Sequence, residues 1–167
     1  MAHVILAELL KEAEPDVLVR SAGLLDGGLP STREAIEVMA RRNLDLGSHL
    51  STTLSESLRE PHDLIVGMAS HHVREVVVLE PELLSRTFTL KDLVRRAEEG
   101  GPRHRGESLQ TYLERLGEGR RTSEMMGNQD DVADPIGQGI SVYEETAKQI
   151  YDLVCRLKRN LWPTLRR

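Results

Sequence analysis

One cysteine in 167 residues sets the first bounds. Cys155 has no second thiol to pair with inside the chain, and it cannot build a cysteine metal cage alone. It falls late in a helical pattern, on or beside the apolar stripe, where a small core-edge hydrophobe is the expected role. Aromatic residues are nearly as scarce, at 3% of the chain, so the core must be built from Leu, Val, Ile and Ala. No apolar run approaches the roughly 20 residues that a membrane span needs. Residues 1–10 show neither a basic leader region nor a small-residue cleavage site, so no signal peptide is expected and the cytoplasm is the default location. The pattern Gly-x-Ser-x-Gly is missing, which removes the nucleophile elbow of the serine hydrolases.

What the chain does contain fits a globular protein. Apolar residues make 39% and charged residues 29% of its 18.8 kDa, and this length predicts one domain over residues 1–167 with a real core. A net charge of -5 and a pI near 5.7 argue against nucleic acid as the main partner. The doublets Arg41-Arg42, Arg95-Arg96 and Arg120-Arg121 read as solvated helix and loop faces.

Helical and strand-like patterns alternate, which predicts an α/β layer fold with a mainly parallel sheet. Residues 2–13 carry Ile5, Leu6, Leu9 and Leu10 on one helical face. Val17-Leu18-Val19 predicts a short buried strand running into Ser21-Ala22-Gly23. Ser31 followed by Glu34 makes a capping box for the next helix. Residues 64–68 give the clearest strand, a continuous apolar run. A helix through Leu79 that Ser70 could cap, a strand over 86–90 and a helix over 91–99 follow, although Val76-Val77-Val78 would equally suit a strand. Residues 100–132 read as a Gly-, Arg- and Glu-rich excursion, carrying one marginal helix on Leu109, Tyr112, Leu113 and Leu116, and are expected to be mobile. Ser141 and Glu144 form a second capping box, opening a helix with apolar residues from Tyr143 to Leu161 at every third or fourth position.

Asp134-Pro135-Ile136-Gly137 stands just before that last helix. Proline fixes the backbone and Gly137 permits a tight turn, so the Asp134 carboxylate is displayed on a constrained loop. A carboxyl group held beside a leaving oxygen can act as general acid, though Asp-Pro alone is also a common turn start. Ser21 and His49 sit near strand ends, where α/β proteins gather ligands. His71-His72 is read as a helix-start pair and not as a metal site, because adjacent helical residues turn apart.

Taken in order, the set is more specific than its parts. Ser21-Ala22-Gly23, the helix from Ser31, Leu46-Gly47-Ser48-His49-Leu50-Ser51, the strand at 63–68, and Asp134-Pro135 before a long helix resemble the low-molecular-weight protein-tyrosine phosphatase family. That family also includes thioredoxin-coupled arsenate reductases. The likeness runs from residue 1 to about residue 159, interrupted by the excursion. It implies a three-layer α/β fold, a mainly parallel sheet flanked by helices. It further implies phosphomonoester hydrolysis through a phosphocysteine, with Asp134 as general acid and base and with Ser21 and His49 holding the phosphate loop in shape. No metal or cofactor is implied; the substrate would be a phosphorylated protein or a small phosphomonoester.

The resemblance also shows what is missing. The family opens on a central strand and a Cys-x5-Arg-Ser loop followed directly by the first helix. Here residues 1–6 match the opening of that helix, as a start assigned at an internal methionine would produce. The nucleophile, the phosphate-binding arginine and the first central strand are therefore not among these residues, and the chain as written is expected to be inactive. Strands left without a neighbour would also expose backbone groups, each buried one costing about 1–3 kcal/mol, so marginal stability or none is expected of the isolated chain. Two alternatives stay open: a non-catalytic binding or regulatory relative that borrows a strand from a partner chain, and, with less support from a single cysteine, an arsenate reductase relative. Ile136 departs from the aromatic residue that often follows Asp-Pro in tyrosine-directed members and stacks on the substrate ring, which puts phosphotyrosine itself in question.

Overall fold

A computed structural model describes residues 1–11, 14, 16–120 and 127–163. The chain divides into two compact units, each assembled from two separate stretches. The first takes Met1–Glu60 and Asp134–Cys155, the second Pro61–Ala133 and Arg156–Arg167.

Helices dominate the first unit: α1 (Ala2–Leu10), α2 (Arg33–Ala40), the single turn α3 (Leu54–Ser57), and the part of α7 (Ile140–Leu161) up to Cys155. Its core follows from periodicity, since Tyr143, Ala147, Ile150 and Val154 lie on one face of α7 and are all buried. Ile5 and Leu10 of α1, Val38 and Met39 of α2, and the loop residue Leu46 are buried as well. Caps fall close to their expected places without coinciding. Thr32, one residue after Ser31, caps α2 by accepting from the Ala35 amide at 3.3 Å, and its own hydroxyl donates to the Tyr143 phenol oxygen at 3.2 Å. Likewise α7 starts at Ile140, so Ser141 lies inside the helix and is not its cap. At α2 two hydroxyl residues of similar capping power, Ser31 and Thr32, stand side by side, and the bonds of Thr32 select it.

The strand expected at Val17-Leu18-Val19 does not form. That segment has no ladder among the described residues, and Leu18 is 72% exposed. A strand exists only against a neighbour that takes its amides and carbonyls, and among the described residues of this unit pairing is limited to two isolated bridges, Gly23 with Thr53 in parallel and Pro30 with Leu50 antiparallel. The Gly23 amide donates to Thr52 O at 2.9 Å, and the Leu54 amide to Gly23 O at 2.8 Å.

Both strands found among the described residues belong to the second unit. β1 (Ile65–Gly67) and β2 (Thr87–Thr89) pair in parallel, with Val66 opposite Phe88. They are joined through α4 (Ser70–Leu79) and a 3-10 turn (Pro81–Arg86), and Thr89 then caps α5 (Leu90–Gly100) through the Asp92 amide. Position 67 favours glycine: an added Cβ would meet the His72 Cβ at 3.1 Å and the Ala69 carbonyl at 3.2 Å, a tight fit where the chain turns from strand to helix. Val76 is buried and Val78 is 75% exposed, so the valine run serves as one face of a helix and not as a strand.

The described part of the 100–132 excursion is packed, against the expectation of mobility. Helix α6 (Leu109–Gly117) buries Tyr112, Leu113 and Leu116. Arg115 grips the Glu107 carboxylate with two nitrogens at 3.0 and 3.1 Å and the Gly100 carbonyl at 2.7 Å. The guanidinium so close to Glu107 holds that carboxyl down to about 2. The remainder of this segment, residues 121–126, lies outside the described residues.

Candidate active site

Asp134 sits on a loop whose shape is set by its own sequence. Pro135 is buried and locks the backbone, Gly137 adopts φ 76°, and the Gln138 amide donates to Pro135 O at 2.9 Å. The Ile136 amide donates to Asp134 Oδ1 at 3.0 Å. One carboxylate oxygen is thereby fixed against the loop, on a residue that is exposed. This arrangement suits proton delivery to an external oxygen: the carboxyl is oriented and still accessible. Ile136 is 58% exposed beside it, presenting an aliphatic surface where a ring could have stacked.

His49 is held by the turn before it. The Asp45 carboxylate accepts from the Gly47 amide at 2.8 Å and from Ser48 Oγ at 3.1 Å, and these donors hold its carboxyl below the usual range. Leu46, 2% exposed, plugs the turn into the core. The imidazole of His49 then meets that of His3 from α1, ring centroids 4.5 Å apart and tilted by 41°. Ser21 is half-buried in the extended stretch ahead of the Gly23–Thr53 bridge.

Ser21, His49 and Asp134 thus all fall in the first unit. No hydrogen bond or ring contact joins these three to one another among the described residues. The structure instead adds His3, which the sequence places only within the first helical segment and which no local pattern could connect to His49.

Burial chiefly, then the positive charges of residue 1 and His49, lowers His3 from 6.5 to about 4. His49 is also lowered, again mainly by burial. The sign of the consequence is fixed. Between pH 6.5 and 4 the unfolded chain binds a proton at His3 that the folded chain refuses, so stability present above pH 6.5 is lost as pH falls toward 4. His3→Gln is expected to flatten the fall of the thermal midpoint between pH 7 and pH 4. An unchanged pH dependence would show that His3 is not buried in neutral form.

The second unit holds the other histidine pair. His71 and His72 bring their rings to 4.1 Å at the start of α4, closer than the expectation that they turn apart. His72 Nδ1 is engaged, accepting from the Ala69 amide at 3.2 Å. No group of three or more His, Cys, Asp or Glu among the described residues could hold a metal ion. No helix among them is long and apolar enough to cross a membrane.

This α/β scaffold, with an acidic loop leading into a long last helix, is the architecture of a small phosphatase class. A low molecular weight protein tyrosine phosphatase from T. tengcongensis superposes with a TM-score of 0.70 at 26% identity, over 96% of this chain and 88% of that one. A protein-arginine-phosphatase of Bacillus subtilis is 24% identical over 162 residues, 96% of this chain and 87% of its own. A low molecular weight protein-tyrosine-phosphatase of Escherichia coli is 32% identical over 83 residues, 48% of this chain and 55% of its own. The model of the low molecular weight phosphotyrosine protein phosphatase family matches residues 1–102. The chain belongs to that family.

Proposed function

We propose that these residues form the acid–base half of a two-step phosphatase and carry no nucleophile of their own. The observation that supports this most directly is the Asp134 loop, a carboxylate oriented by Ile136 and Pro135 and open to solvent. In the reaction, a cysteine thiolate attacks phosphorus and the bond to the leaving oxygen breaks while Asp134 donates its proton to that oxygen. Asp134, now a carboxylate, takes a proton from water as the water attacks phosphocysteine and the sulfur–phosphorus bond breaks, which releases phosphate and returns the thiolate with Asp134 protonated for the next turnover. Ser21 and His49, stiffened by the Leu46 turn and the His3 ring, would brace the loop that carries the cysteine. Cys155 does not fit the nucleophile's place, being an internal residue of α7 followed six positions later by Leu161 and not by arginine. The 167 residues by themselves are thus inactive in this reading. The cytoplasm is the expected setting.

A second reading concerns the substrate. Ile136 offers no ring to stack on a phosphotyrosine, and likeness along 96% of the chain extends to a protein-arginine-phosphatase. The same acid would then protonate a guanidine nitrogen. A loop-bearing chain, made by joining a family-type strand and Cys-x5-Arg-Ser loop ahead of Met1, allows the comparison. On paired peptides differing only in phosphotyrosine or phosphoarginine, a kcat/KM at least about tenfold higher for phosphoarginine, equivalent to about 1.4 kcal/mol, supports the arginine-directed reading. An equal preference the other way restores tyrosine.

A further inference from the structure

His49 and Asp134 do not touch, but the segments that carry them are joined through one side-chain hydrogen bond. Thr32 opens α2, where its hydroxyl accepts from the Ala35 amide. The same hydroxyl donates to the Tyr143 phenol oxygen at 3.2 Å, across 111 residues of chain. Tyr143 is 3% exposed, so its ring is part of the core. Packing alone would be met by phenylalanine, which carries no polar atom to bury. A buried phenol oxygen needs a partner, and Thr32 supplies one.

Each end of this bond leads to a candidate residue by a short bonded path. On the Thr32 side, Pro30 bridges to Leu50, the residue after His49. The Ser51 amide donates to Leu29 O at 2.8 Å, and the Leu29 amide donates to Ser51 Oγ at 3.0 Å. On the other side, Tyr143 lies in the first turn of α7, nine residues after Asp134. The Gln138 amide closes a turn on Pro135 O, and the Val142 amide closes the next on Gly139 O at 3.0 Å. With the Ile136 amide on Asp134 Oδ1, the chain winds in bonded turns from the carboxylate into the helix. Thr32, His49, Asp134 and Tyr143 all belong to the first unit.

A second link between α2 and α7 is weaker. Arg41 bonds Glu37 of its own helix at 2.6 Å and reaches Glu144 of α7, but all three side chains are exposed to water that screens their charges. The Thr32–Tyr143 bond is partly buried and has a defined direction, so it sets where the first turn of α7 rests on α2. Pro135 is buried with its φ locked, which leaves the Asp134 loop little freedom to absorb a shift of that turn. A displacement of about 1 Å at a reacting group can cost on the order of 10²-fold in rate.

We propose that Tyr143 is a positioning residue for Asp134: its phenol, held by Thr32, fixes the start of α7, and with it the Asp134 loop, relative to the segment that carries His49. The proposal rests on Asp134 being the general acid, and the test separates the two ideas. Leaving groups differ in how much they need a proton: phenoxide needs one, and a polynitrated phenoxide does not. In the loop-bearing chain, the rate of phosphocysteine formation is measured by rapid mixing over a series of aryl phosphates. The parent is compared with Asp134→Ala, Tyr143→Phe, Thr32→Val, Thr32→Ser and the double variant Tyr143→Phe with Thr32→Val.

Tyr143→Phe keeps the ring and the α2 cap and removes only the tie. Its expected loss is about tenfold for phenyl phosphate and vanishes for the polynitrated substrate, with KM unchanged. Thr32→Ser keeps a hydroxyl and should retain the parent's rate on both. Thr32→Val should show the same leaving-group-dependent loss, and the double variant should add none to it, because both changes break one bond. A loss equal for every leaving group, or no loss, would overturn the proposal and leave Tyr143 as a core residue only. Full additivity in the double variant would overturn it as well. Asp134→Ala without leaving-group dependence would instead overturn the acid assignment itself. Where Tyr143→Phe does not fold, Thr32→Val against Thr32→Ser carries the same test, and a uniform loss there counts against the proposal equally.

Discussion

The 167 residues alone will hydrolyse an aryl phosphate no faster than buffer, whereas the loop-bearing chain will turn it over at about 1–10³ s⁻¹, the usual enzymatic range. The contrast is large because the missing loop would supply three things together. Its thiolate is the nucleophile that divides hydrolysis into two easier steps. Its arginine and backbone amides hold the phosphate dianion, and the start of the following helix adds a favourable dipole. Here α1 begins at Ala2, so the helix is present while the groups that would face its start are not among these residues. Asp134 cannot compensate, since an acid without a positioned nucleophile leaves attack to water. Measurable turnover by the 167 residues, abolished by Asp134→Ala, would mean that another nucleophile serves and that the two-step reading is wrong.

Removing the acid should have the second-largest effect. In the loop-bearing chain, Asp134→Ala is expected to lower turnover of phenyl phosphate by about 10²–10⁴-fold. The loss should fall mainly on kcat, because Asp134 assists bonds that change in the transition state and contributes little to ground-state binding. Asp134→Asn should be nearly as damaging. The amide keeps the oxygen that accepts from Ile136, so the loop stays in shape, but it has no acidic proton to give. Equal activity of the asparagine variant and the parent would show that the loop matters for its shape and not for its proton.

Much of the second unit was legible in the sequence because its patterns are local. The apolar run at 64–68 and the three- and four-residue spacing of Leu109, Tyr112, Leu113 and Leu116 predict β1 and α6 from neighbours in the chain. The valine run at 76–78 was ambiguous by propensity and resolved by the helical phase of Val73 and Val76, both buried. Val17-Leu18-Val19 failed for the opposite reason. Strand propensity there is real, but a strand is a property of two segments, and pairing partners are not written in one. The Asp134 loop was legible because proline and glycine act on their own backbone. The His3–His49 contact and the Asp131–Ser70 bonds were not, since they span 46 and 61 residues and leave no periodic trace. Asp131 in particular looked like one more acidic residue in a polar stretch. The sequence offers Ser70 itself as the cap of the helix through Leu79, whereas α4 begins at Ser70 with Ala69 before it, and the Asp131 carboxylate accepts from the Ser70 amide.

The central claim, that Asp134 serves both steps of a phosphocysteine mechanism, is tested most directly by intact-mass measurement. The loop-bearing Asp134→Ala chain is mixed with a polynitrated aryl phosphate, whose departure needs no acid, and quenched within the first turnovers. The first step should then proceed while the second, deprived of its base, stalls, and the protein should accumulate one phosphate on the loop cysteine. No covalent phosphate, together with turnover equal to that of the parent, would contradict the account.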